Sequence, residues 1–358
     1  MKARYFILCV WAALMVLSSC GGKKGRKSYD ELASSGMTTR TENLRTNVKA
    51  FADKFCMVGQ MYGTLEGVGW QCDSGRCDMH NICNDRPAVN GYDISGIETG
   101  RKVNDDGLSF ESIRRDVLEN FRRGSLLVLY WKGLAVRKGG TESSEGRKGI
   151  QALARFLDTL QNGYGIKAPV VLFLYPWEGK AWYSHLSVEE YRDLYRSTQK
   201  ELEDAGATNA IYGYSESYQA GTAFMSHCPA DGIDVVEGCY IQPHTNASGE
   251  TYAQAMKEMV GRVTAVAQER NAAVGLRTGM ESVPYAQMFS KVLLPVVNEN
   301  RIAYLMLGPN DGEGEDGHYS LPYPGCRNEA IEDFMLFYND GRTMFMSRLN
   351  GLYLQHEG

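Results

Sequence analysis

The sequence predicts an α/β protein built as a single (β/α)8 TIM barrel. Eight short apolar segments, each of four to eight residues, follow one another along the chain and are typical of buried parallel strands. Amphipathic helical segments alternate with them, as in sheets whose outer face is covered by helices. No G-x-G-x-x-G fingerprint follows the first strand, which argues against a doubly wound dinucleotide-binding sheet.

The predicted elements follow in order. The strands are 57–60, 88–93, 125–131, 170–173, 209–214, 233–240, 273–276 and 302–307. The helices are 110–123, 150–160, 187–205, 252–269, 284–297 and 329–337, and the polar stretch 28–53 is compatible with a further helix. Ser187, followed three residues later by Glu190, predicts a capping box at the start of its helix. Residues 62–84 are glycine-rich and irregular, so we expect a functional loop there.

Bulk properties limit the classes of partner. The chain has 358 residues, of which 43% are hydrophobic, so it can form a large core. Its formal net charge of −5 argues against nucleic acid as a partner. The 21 tyrosines, 12 phenylalanines and 5 tryptophans exceed what a minimal core needs, and some rings can stack on a ligand.

The N-terminus has the pattern of an export signal. Lys2 and Arg4 precede an apolar run, 5–17, that is too short for an ordinary transmembrane helix. The run ends in Leu17-Ser18-Ser19-Cys20, which resembles a bacterial lipobox. The resemblance implies cleavage before Cys20 and lipidation of its thiol; the alternative is a plain secretory signal that contains a cysteine.

These features divide the chain into three predicted parts. Residues 1–19 are a lipoprotein signal peptide, 20–40 a lipidated cysteine with a flexible tether, and 41–358 the barrel. We therefore expect an exported protein, periplasmic or on the cell surface, that contacts the membrane through its N-terminal lipid. Export permits disulfides, and two of Cys72, Cys77 and Cys83 could pair. Their spacing lacks a CxxC motif, which disfavours a zinc site.

Residues 170–182, VVLFLYPWEGKAW, are the centre of the functional prediction. Pro176 ends the fourth strand, since proline cannot donate to a central ladder. Glu178 then follows the carboxyl end of the strand, between Trp177 and Trp182. A carboxyl group walled by aromatic rings at this place suits a general acid with a raised pKa that acts on sugars. The alternative is a rim glutamate paired with Lys180.

The other strand ends form a polar, aromatic and partly acidic rim. It contains Gln60, Asp93, Trp131, Lys132, Ser215, Glu216, Glu237, Tyr240, Arg277 and Asn310. Active sites of TIM barrels lie at this end of the strands. The composition suits a hydroxyl-rich ligand, a poly- or oligosaccharide. No histidine cluster is present, and we predict neither a metal site nor a cofactor.

Several segments resemble glycoside hydrolase family 26, most of whose members are β-mannanases. They include GVGWQCDSGRCDMHNICNDRPAVNGYDISGIE at 67–98, PVVLFLYPWEGKAW at 169–182 and HYSLPYPG at 318–325, and they follow the family's order. The resemblance covers about residues 58–348. It implies a (β/α)8 barrel in which two glutamates cleave a β-linked glycan.

The family's site residues carry over unevenly. The resemblance implies that Glu178 is the acid/base, with Trp177 in place of the histidine that precedes it in the family. Strand three of the family ends in Ser-Trp-His, where this chain has Tyr130-Trp131-Lys132. Strand seven ends in Thr-Glu-Thr-Gly, and its glutamate is the nucleophile; Arg277 occupies that position here. The implied sugar-contacting positions are Trp131, Lys132, Trp177, Trp182, Tyr240 and Arg277.

Arginine at the nucleophile position has a direct chemical consequence. A retaining glycosidase needs two carboxyl groups roughly 5 Å apart, and a guanidinium cannot attack an anomeric carbon. A cation facing Glu178 would also hold its carboxylate ionised. Arg277 could instead serve, with Lys132, to bind an anionic sugar, or it could pair with Glu178 or Glu237 in an inactive site.

Three glutamates could still restore catalysis. Glu281, four residues after Arg277, is the candidate substitute nucleophile. Glu216 or Glu237 could supply the second carboxylate, or an inverting base roughly 6.5–9.5 Å from Glu178. Each is otherwise an ordinary rim or loop residue. Two hypotheses result: a lipoprotein that hydrolyses a β-1,4-linked glycan with Glu178 as acid/base, with altered or lost retaining catalysis, or a non-catalytic glycan-binding barrel.

Overall fold

A computed structural model describes residues 31–73, 75–243, 249–281, 287–312 and 319–356. The predicted signal peptide, Cys20 and the tether up to residue 30 lie outside the described residues, as do residues 284–286 of one predicted helix and His318. Within the described part of the chain, no helix is long and apolar enough to cross a membrane.

Eight parallel strands close into one barrel, which confirms the predicted fold. The strands of the chain are β1 (Cys56–Met61), β2 (Glu66–Gly67), β3 (Trp70–Gln71), β4 (Val89–Asp93), β5 (Leu126–Trp131), β6 (Val170–Leu174), β7 (Ala210–Ser217), β8 (Val235–Gln242), β9 (Ala273–Met280), β10 (Tyr304–Leu307) and β11 (Thr343–Met344). The barrel runs β1-β4-β5-β6-β7-β8-β9-β10, and β10 pairs with β1 to close it. The short β2 and β3 form a separate hairpin, and β11 adds to the start of β1.

Helices cover the outside of the barrel. They are α1 (Thr39–Phe51), α2 (Asp78–Cys83), α3 (Phe110–Arg123), α4 (Ser144–Thr159), α5 (Val188–Asp204), α6 (Gly249–Glu269), α7 (Leu294–Glu299) and α8 (Asn328–Tyr338). A π-helical turn, Phe289–Leu293, leads into α7. The predicted capping box is confirmed. The Ser187 hydroxyl accepts a hydrogen bond from the Glu190 backbone amide, and the Glu190 carboxylate accepts one from the Ser187 backbone amide.

Three barrel strands extend two or more residues beyond their predicted ends. The prediction ended β7, β8 and β9 at 214, 240 and 276, but the strands end at Ser217, Gln242 and Met280. The ladder between β8 and β9 is continuous from Val235↔Ala273 to Gln242↔Met280. The predicted ends were wrong because polar residues such as Glu216, Gln242 and Arg277 interrupt the apolar pattern, although their backbones still pair. Arg277 therefore lies inside β9.

The predicted irregular loop 62–84 is partly ordered, because it contains the β2–β3 hairpin and α2. The buried carboxylate of Asp78 organises it. This carboxylate accepts hydrogen bonds from the Trp70 indole at 2.8 Å, the Val68 amide at 2.9 Å and the Asn310 side chain at 2.8 Å. The hairpin is thereby tied to the segment that follows β10. Cys72, Cys77 and Cys83 are free thiols, so the suggested disulfide among them is absent.

Candidate functional site

The loop that carries Glu178 is held by buried tyrosine hydroxyls. Tyr175, directly after β6, has a φ of 50°, an unusual conformation for a bulky residue. The Tyr191 hydroxyl donates to the Tyr175 carbonyl at 2.6 Å, and the Tyr183 hydroxyl donates to the Pro176 carbonyl. The Tyr175 hydroxyl in turn bonds to Thr198 at 2.8 Å. Such bracing keeps a strained turn in one conformation, as is common at functional sites.

The two tryptophans beside Glu178 are partly buried and fixed. The Trp177 backbone continues the ladder with β7, because its amide donates a hydrogen bond to the Ser215 carbonyl at 2.7 Å. Its ring stacks on His227, with centroids 3.7 Å apart and planes inclined by 18°. The Trp182 indole donates to the Lys132 carbonyl at 2.7 Å and so joins the Glu178 loop to the end of β5.

Lys132 is the cation that contacts Glu178. Its Nζ lies 3.5 Å from Glu178 Oε2 and 3.5 Å from Asp93 Oδ2. The Glu178 side chain is 38% exposed and accessible from the barrel mouth. Burial opposes the charge on Lys132, but the Asp93 and Glu178 carboxylates outweigh it and raise the pKa of the ammonium group. Lys132 therefore remains a cation between the two carboxylates, and the suggested pairing of Glu178 with Lys180 is replaced by this contact.

Arg277 points into the barrel and pairs with Glu237. Its Nε lies 3.5 Å from Glu237 Oε1, and its guanidinium carbon lies 4.8 Å from the centre of the Tyr130 ring. The Arg277 side chain is only 17% exposed. Burial works against its charge, yet the acidic groups around it, Cys239 and Tyr130 first and then Glu237 and Glu178, hold its pKa well above the usual value. Arg277 is thus a permanent cation inside the barrel.

Glu237 is a fully buried anion with a complete set of donors. The hydroxyls of Tyr130 and Tyr304 each donate to its Oε2 at 2.7 Å. The Ser215 hydroxyl donates to Oε1 at 2.7 Å, the oxygen that also faces Arg277. The side chain has no exposed surface. Because every oxygen is engaged below Arg277, Glu237 acts as the counter-ion of the arginine.

The remaining glutamates lie away from Arg277. Glu216 is buried, and its carboxylate accepts hydrogen bonds from the Tyr214 hydroxyl and, at 2.8 Å, from the Met225 amide. Burial raises the pKa of Glu216 to about 7. Glu281 directly follows β9, and its amide donates to the Gln242 carbonyl at 3.1 Å. Four residues of extended backbone place its Cα about 13 Å beyond that of Arg277. Of the three glutamates, only Glu237 contacts Arg277.

Two predicted sugar contacts lie outside this central group. Trp131 has no exposed surface and packs against Tyr175, with ring centroids 5.5 Å apart, so it offers no face to a ligand. Tyr240 stacks on Tyr252 of α6, at 6.1 Å, on the helix side of β8. Strand alternation explains both positions. Tyr130 and Cys239 face the barrel interior, so the residues that follow them, Trp131 and Tyr240, face outward.

Charges in the site do not favour an anionic sugar. Lys132 already faces two carboxylates, Asp93 and Glu178, and Arg277 faces Glu237. Two cations are therefore balanced by three anions. A uronate carboxylate would have to displace one of these before either cation could bind it.

Sequence reasoning gave no positioning role to the residues that hold the two charged pairs. Tyr304 and Tyr130 bind Glu237 from strands on opposite sides of it, and Asp93 holds Lys132. Alternation along β5 and β10 could have assigned the tyrosines to the interior. That both tyrosines bind Glu237 depends on the register between neighbouring strands. This register places Tyr304 of β10 opposite Gly275 of β9, and Gly275 opposite Glu237 of β8.

No family model and no curated protein sequence matches the chain. Solved structures do match. A family 26 β-mannanase from Bacteroides ovatus has 26% identity and a TM-score of 0.80, over 90% of this chain and 99% of that one. The catalytic domain of a Bacillus sp. JAMB-750 endo-β-1,4-mannanase has 18% identity and a TM-score of 0.77, over 92% and 98% of the two chains. A Cellulomonas fimi endo-β-1,4-mannanase has 21% identity and a TM-score of 0.74, over 90% and 79%.

Proposed function

We propose that this chain, whose barrel has the fold of the glycoside hydrolase family 26 β-mannanases, binds a β-linked glycan and has lost that family's retaining hydrolysis. The Arg277–Glu237 pair is the observation that carries this proposal. Double displacement needs a carboxylate roughly 5 Å from the acid/base, free to attack the anomeric carbon. Here that position is a guanidinium, and the nearest carboxylate is buried beneath it.

Glycan recognition is the part of the family's function that the site can still perform. Glu178 remains partly exposed at the end of β6, where its carboxylate can accept hydrogen bonds from sugar hydroxyls. Trp177 and Trp182 flank it with partly exposed aromatic surface. Rigid support from Tyr183 and Tyr191 reduces the entropy lost when a ligand binds. Likeness to β-mannanases makes β-1,4-mannan the first glycan to test.

Affinity electrophoresis combined with a reducing-end assay tests this function. We expect the purified protein to be retarded in gels that contain mannan, mixed-linkage glucan or xylan, and to release no reducing ends from them. Glu178→Ala should reduce the retardation, whereas Glu189→Ala, an exposed glutamate on α5, should not. Release of reducing ends that requires Glu178 would contradict the loss of catalysis.

Hydrolysis through a different carboxylate is the second candidate. Its support is Glu216, whose buried carboxyl has a pKa of about 7 at the end of β7, a value suited to proton transfer near neutral pH. Glu281 remains the proposed substitute nucleophile, although its backbone lies far along β9 from Arg277. Under this candidate, Glu178→Gln abolishes turnover, and either Glu216→Gln or Glu281→Gln does so as well.

We also propose that the protein is exported and tethered by a lipid on Cys20, on the basis of the N-terminal sequence pattern. Metabolic labelling with an alkynyl fatty acid in a bacterial host tests this. Label on the wild type that is lost in Cys20→Ser supports the anchor. Unlabelled protein recovered in the soluble exported fraction would instead indicate the plain secretory signal.

A further inference from the structure

A cavity of about 390 Å³ lies between helix α3 and the segment that contains the β2–β3 hairpin and α2. Its volume falls within the range of roughly 300–1,000 Å³ that is typical of small-molecule sites. Glu178, Lys132 and Arg277 are absent from its described lining, so it is distinct from the central site. We call it the arginine pocket and define it by Arg76, Arg86, Arg115 and Arg123.

Tertiary structure gathers these four guanidinium groups from two parts of the chain. Arg76 lies between the hairpin and α2, and Arg86 follows α2. Arg115 and Arg123 lie about two turns apart on α3, a spacing that returns side chains to the same helix face. The whole chain has a formal net charge of −5, so a cavity lined by four arginines is a local exception. Like charges that are close together repel one another, and a bound anion would relieve this repulsion.

Two of the four arginines are paired with carboxylates of the pocket. Arg123 Nη2 donates to Glu119 Oε1 at 2.7 Å. Arg76 Nη1 lies 3.5 Å from Asp73 Oδ2, and its guanidinium carbon lies 5.3 Å from the centre of the Trp70 ring. These contacts orient both side chains and engage two of the three carboxylates in the described lining.

Arg86 and Arg115 form no ion pair with any of the described residues. Arg86 Nη2 donates to the Gly75 carbonyl at 3.0 Å, and Arg115 Nη2 lies 3.5 Å from the Ser112 hydroxyl. A guanidinium carries several N–H donors in a rigid planar fork, so both side chains keep donors for a ligand. Arg86 is half-buried and Arg115 is exposed. A ligand that enters the cavity therefore meets two guanidinium groups that are not paired with a carboxylate.

Asp116, the third carboxylate of the described lining, bonds to groups of the protein itself. Its Oδ2 accepts the Thr64 hydroxyl at 2.6 Å and the Tyr92 hydroxyl at 2.7 Å, and both of these residues are buried. The pocket holds one guanidinium more than it holds carboxylates. Glu119 is also bound by Arg122, from outside the described lining, at 2.6 Å. An excess of positive charge therefore remains in and around the cavity.

We infer that the arginine pocket binds a tetrahedral oxyanion, a phosphate or sulfate group, carried as the ester of a small molecule. Arginine forks bind such groups through paired, charge-assisted hydrogen bonds, and the negative charge of the ester matches the positive excess. The cavity is larger than the anion alone, and the apolar side chain of Leu65 lines it beside the charged groups. This site is independent of the proposed glycan site and binds a ligand of a different class.

Calorimetry at low ionic strength with phenyl phosphate, phenyl sulfate and benzoate tests the inference. We expect both esters to bind more tightly than benzoate, and the tighter ester identifies the preferred head group. Arg115→Ala and Arg86→Ala each remove charge-assisted hydrogen bonds and should weaken binding of that ester about tenfold or more. Arg115→Lys keeps the charge without the fork and should recover only part of the affinity. Arg155→Ala, at an exposed arginine of α4, is the matched control and should leave the affinity unchanged.

Alkylation of Cys72 locates the bound anion. This thiol is exposed and lines the pocket, whereas the partly exposed Cys326 lies outside the described lining. The ester should slow iodoacetamide labelling of Cys72 and leave that of Cys326 unchanged, as measured by peptide mass spectrometry. Binding without protection of Cys72, full affinity in a folded Arg115→Ala variant, or tighter binding of benzoate would overturn the inference. A melting temperature close to that of the wild type, with unchanged retardation in glycan gels, shows that Arg115→Ala is folded.

Discussion

Arg277 Nε lies 3.5 Å from Glu237 Oε1, inside the barrel and below the mouth where Glu178 is exposed. The pair places a cation at the position that the family resemblance implies for a nucleophile, and it gives that cation its own buried anion. The carboxylate that Arg277 contacts directly is Glu237, while Glu178 contacts Lys132. Lys132–Glu178 and Arg277–Glu237 are therefore two separate charged pairs.

The buried pair should show strong thermodynamic coupling. Arg277→Met leaves Glu237 as an uncompensated buried charge and should lower the free energy of unfolding by about 3 kcal/mol, the lower end of the usual range because Arg277 keeps some exposure. Arg277→Met/Glu237→Gln removes both charges and should recover most of the loss. Denaturant titrations of the single and double variants measure the coupling. Additive losses would show that the two residues do not depend on each other.

Gly275 makes room for the tyrosine that supports Glu237. A Cβ on Gly275 would lie 2.4 Å from Tyr304 Cζ and 2.5 Å from its hydroxyl, so Gly275→Ala must displace the ring from Glu237. We expect a loss of about 1–3 kcal/mol in thermal or denaturant unfolding. Gly261→Ala in α6 is the matched control, because nothing lies within 4 Å of its Cβ position. It should stabilise the protein by about 0.5–1 kcal/mol, and equal destabilisation by both changes would contradict the packing described here.

Glu216 should make stability depend on pH. Burial raises its pKa from 4.5 to about 7, so the folded state holds a proton that the unfolded state has released. The contribution of Glu216 to the free energy of unfolding is complete below about pH 4.5. It is lost as the pH rises through 7, and the free energy of unfolding then falls by at most about 3 kcal/mol. Glu216→Gln should remove this part of the slope between pH 4.5 and 8, whereas the exposed Glu189→Gln should not. An unchanged slope in Glu216→Gln would disprove the assignment.

The tyrosine braces should control the order of the Glu178 loop. Tyr191→Phe removes the donor to the Tyr175 carbonyl and should cost about 1–3 kcal/mol, with faster hydrogen exchange at the Trp177 amide and weaker glycan binding. Tyr195→Phe is a close control, because this hydroxyl, from the same helix, donates to the Gly213 carbonyl at 2.8 Å, away from the loop. It should cost similar stability and leave both exchange and binding unchanged. Identical exchange in the two variants would remove the positioning role.

Much of the fold follows from local sequence patterns. Helix α3 has the predicted bounds, 110–123, because its apolar period, its Ser109 cap and the left-handed Gly124 after it agree with one another. The ends of β7, β8 and β9 could not be found in the same way, because backbone pairing continues where apolar alternation stops. Loop 62–84 owes its order to Asp78 and Asn310, which are far apart in the sequence.

The candidate site shows the same division between local and long-range information. Glu178 could be placed after a strand end from the sequence, whereas Arg277 was predicted at a strand end but lies inside β9. The charged partners of Glu178 and Arg277 could not be predicted from the sequence. They depend on strand register and on which carboxylate lies in the next layer of the barrel interior. The family resemblance predicts Trp131 at the mouth, but alternation with Tyr130 turns it outward, where it is buried.

Covalent trapping tests the central claim most directly. A 2-deoxy-2-fluoro-β-mannosyl fluoride forms a long-lived glycosyl-enzyme with a retaining carboxylate nucleophile, and intact-mass spectrometry detects the adduct. A catalytically active family 26 mannanase treated in parallel is the positive control. We predict an unchanged mass for this protein after prolonged incubation, because Arg277 occupies the position that the family resemblance implies for the nucleophile, and Glu237 is bound beneath it. A stoichiometric glycosyl adduct on Glu237, Glu281 or any other carboxylate would contradict the account.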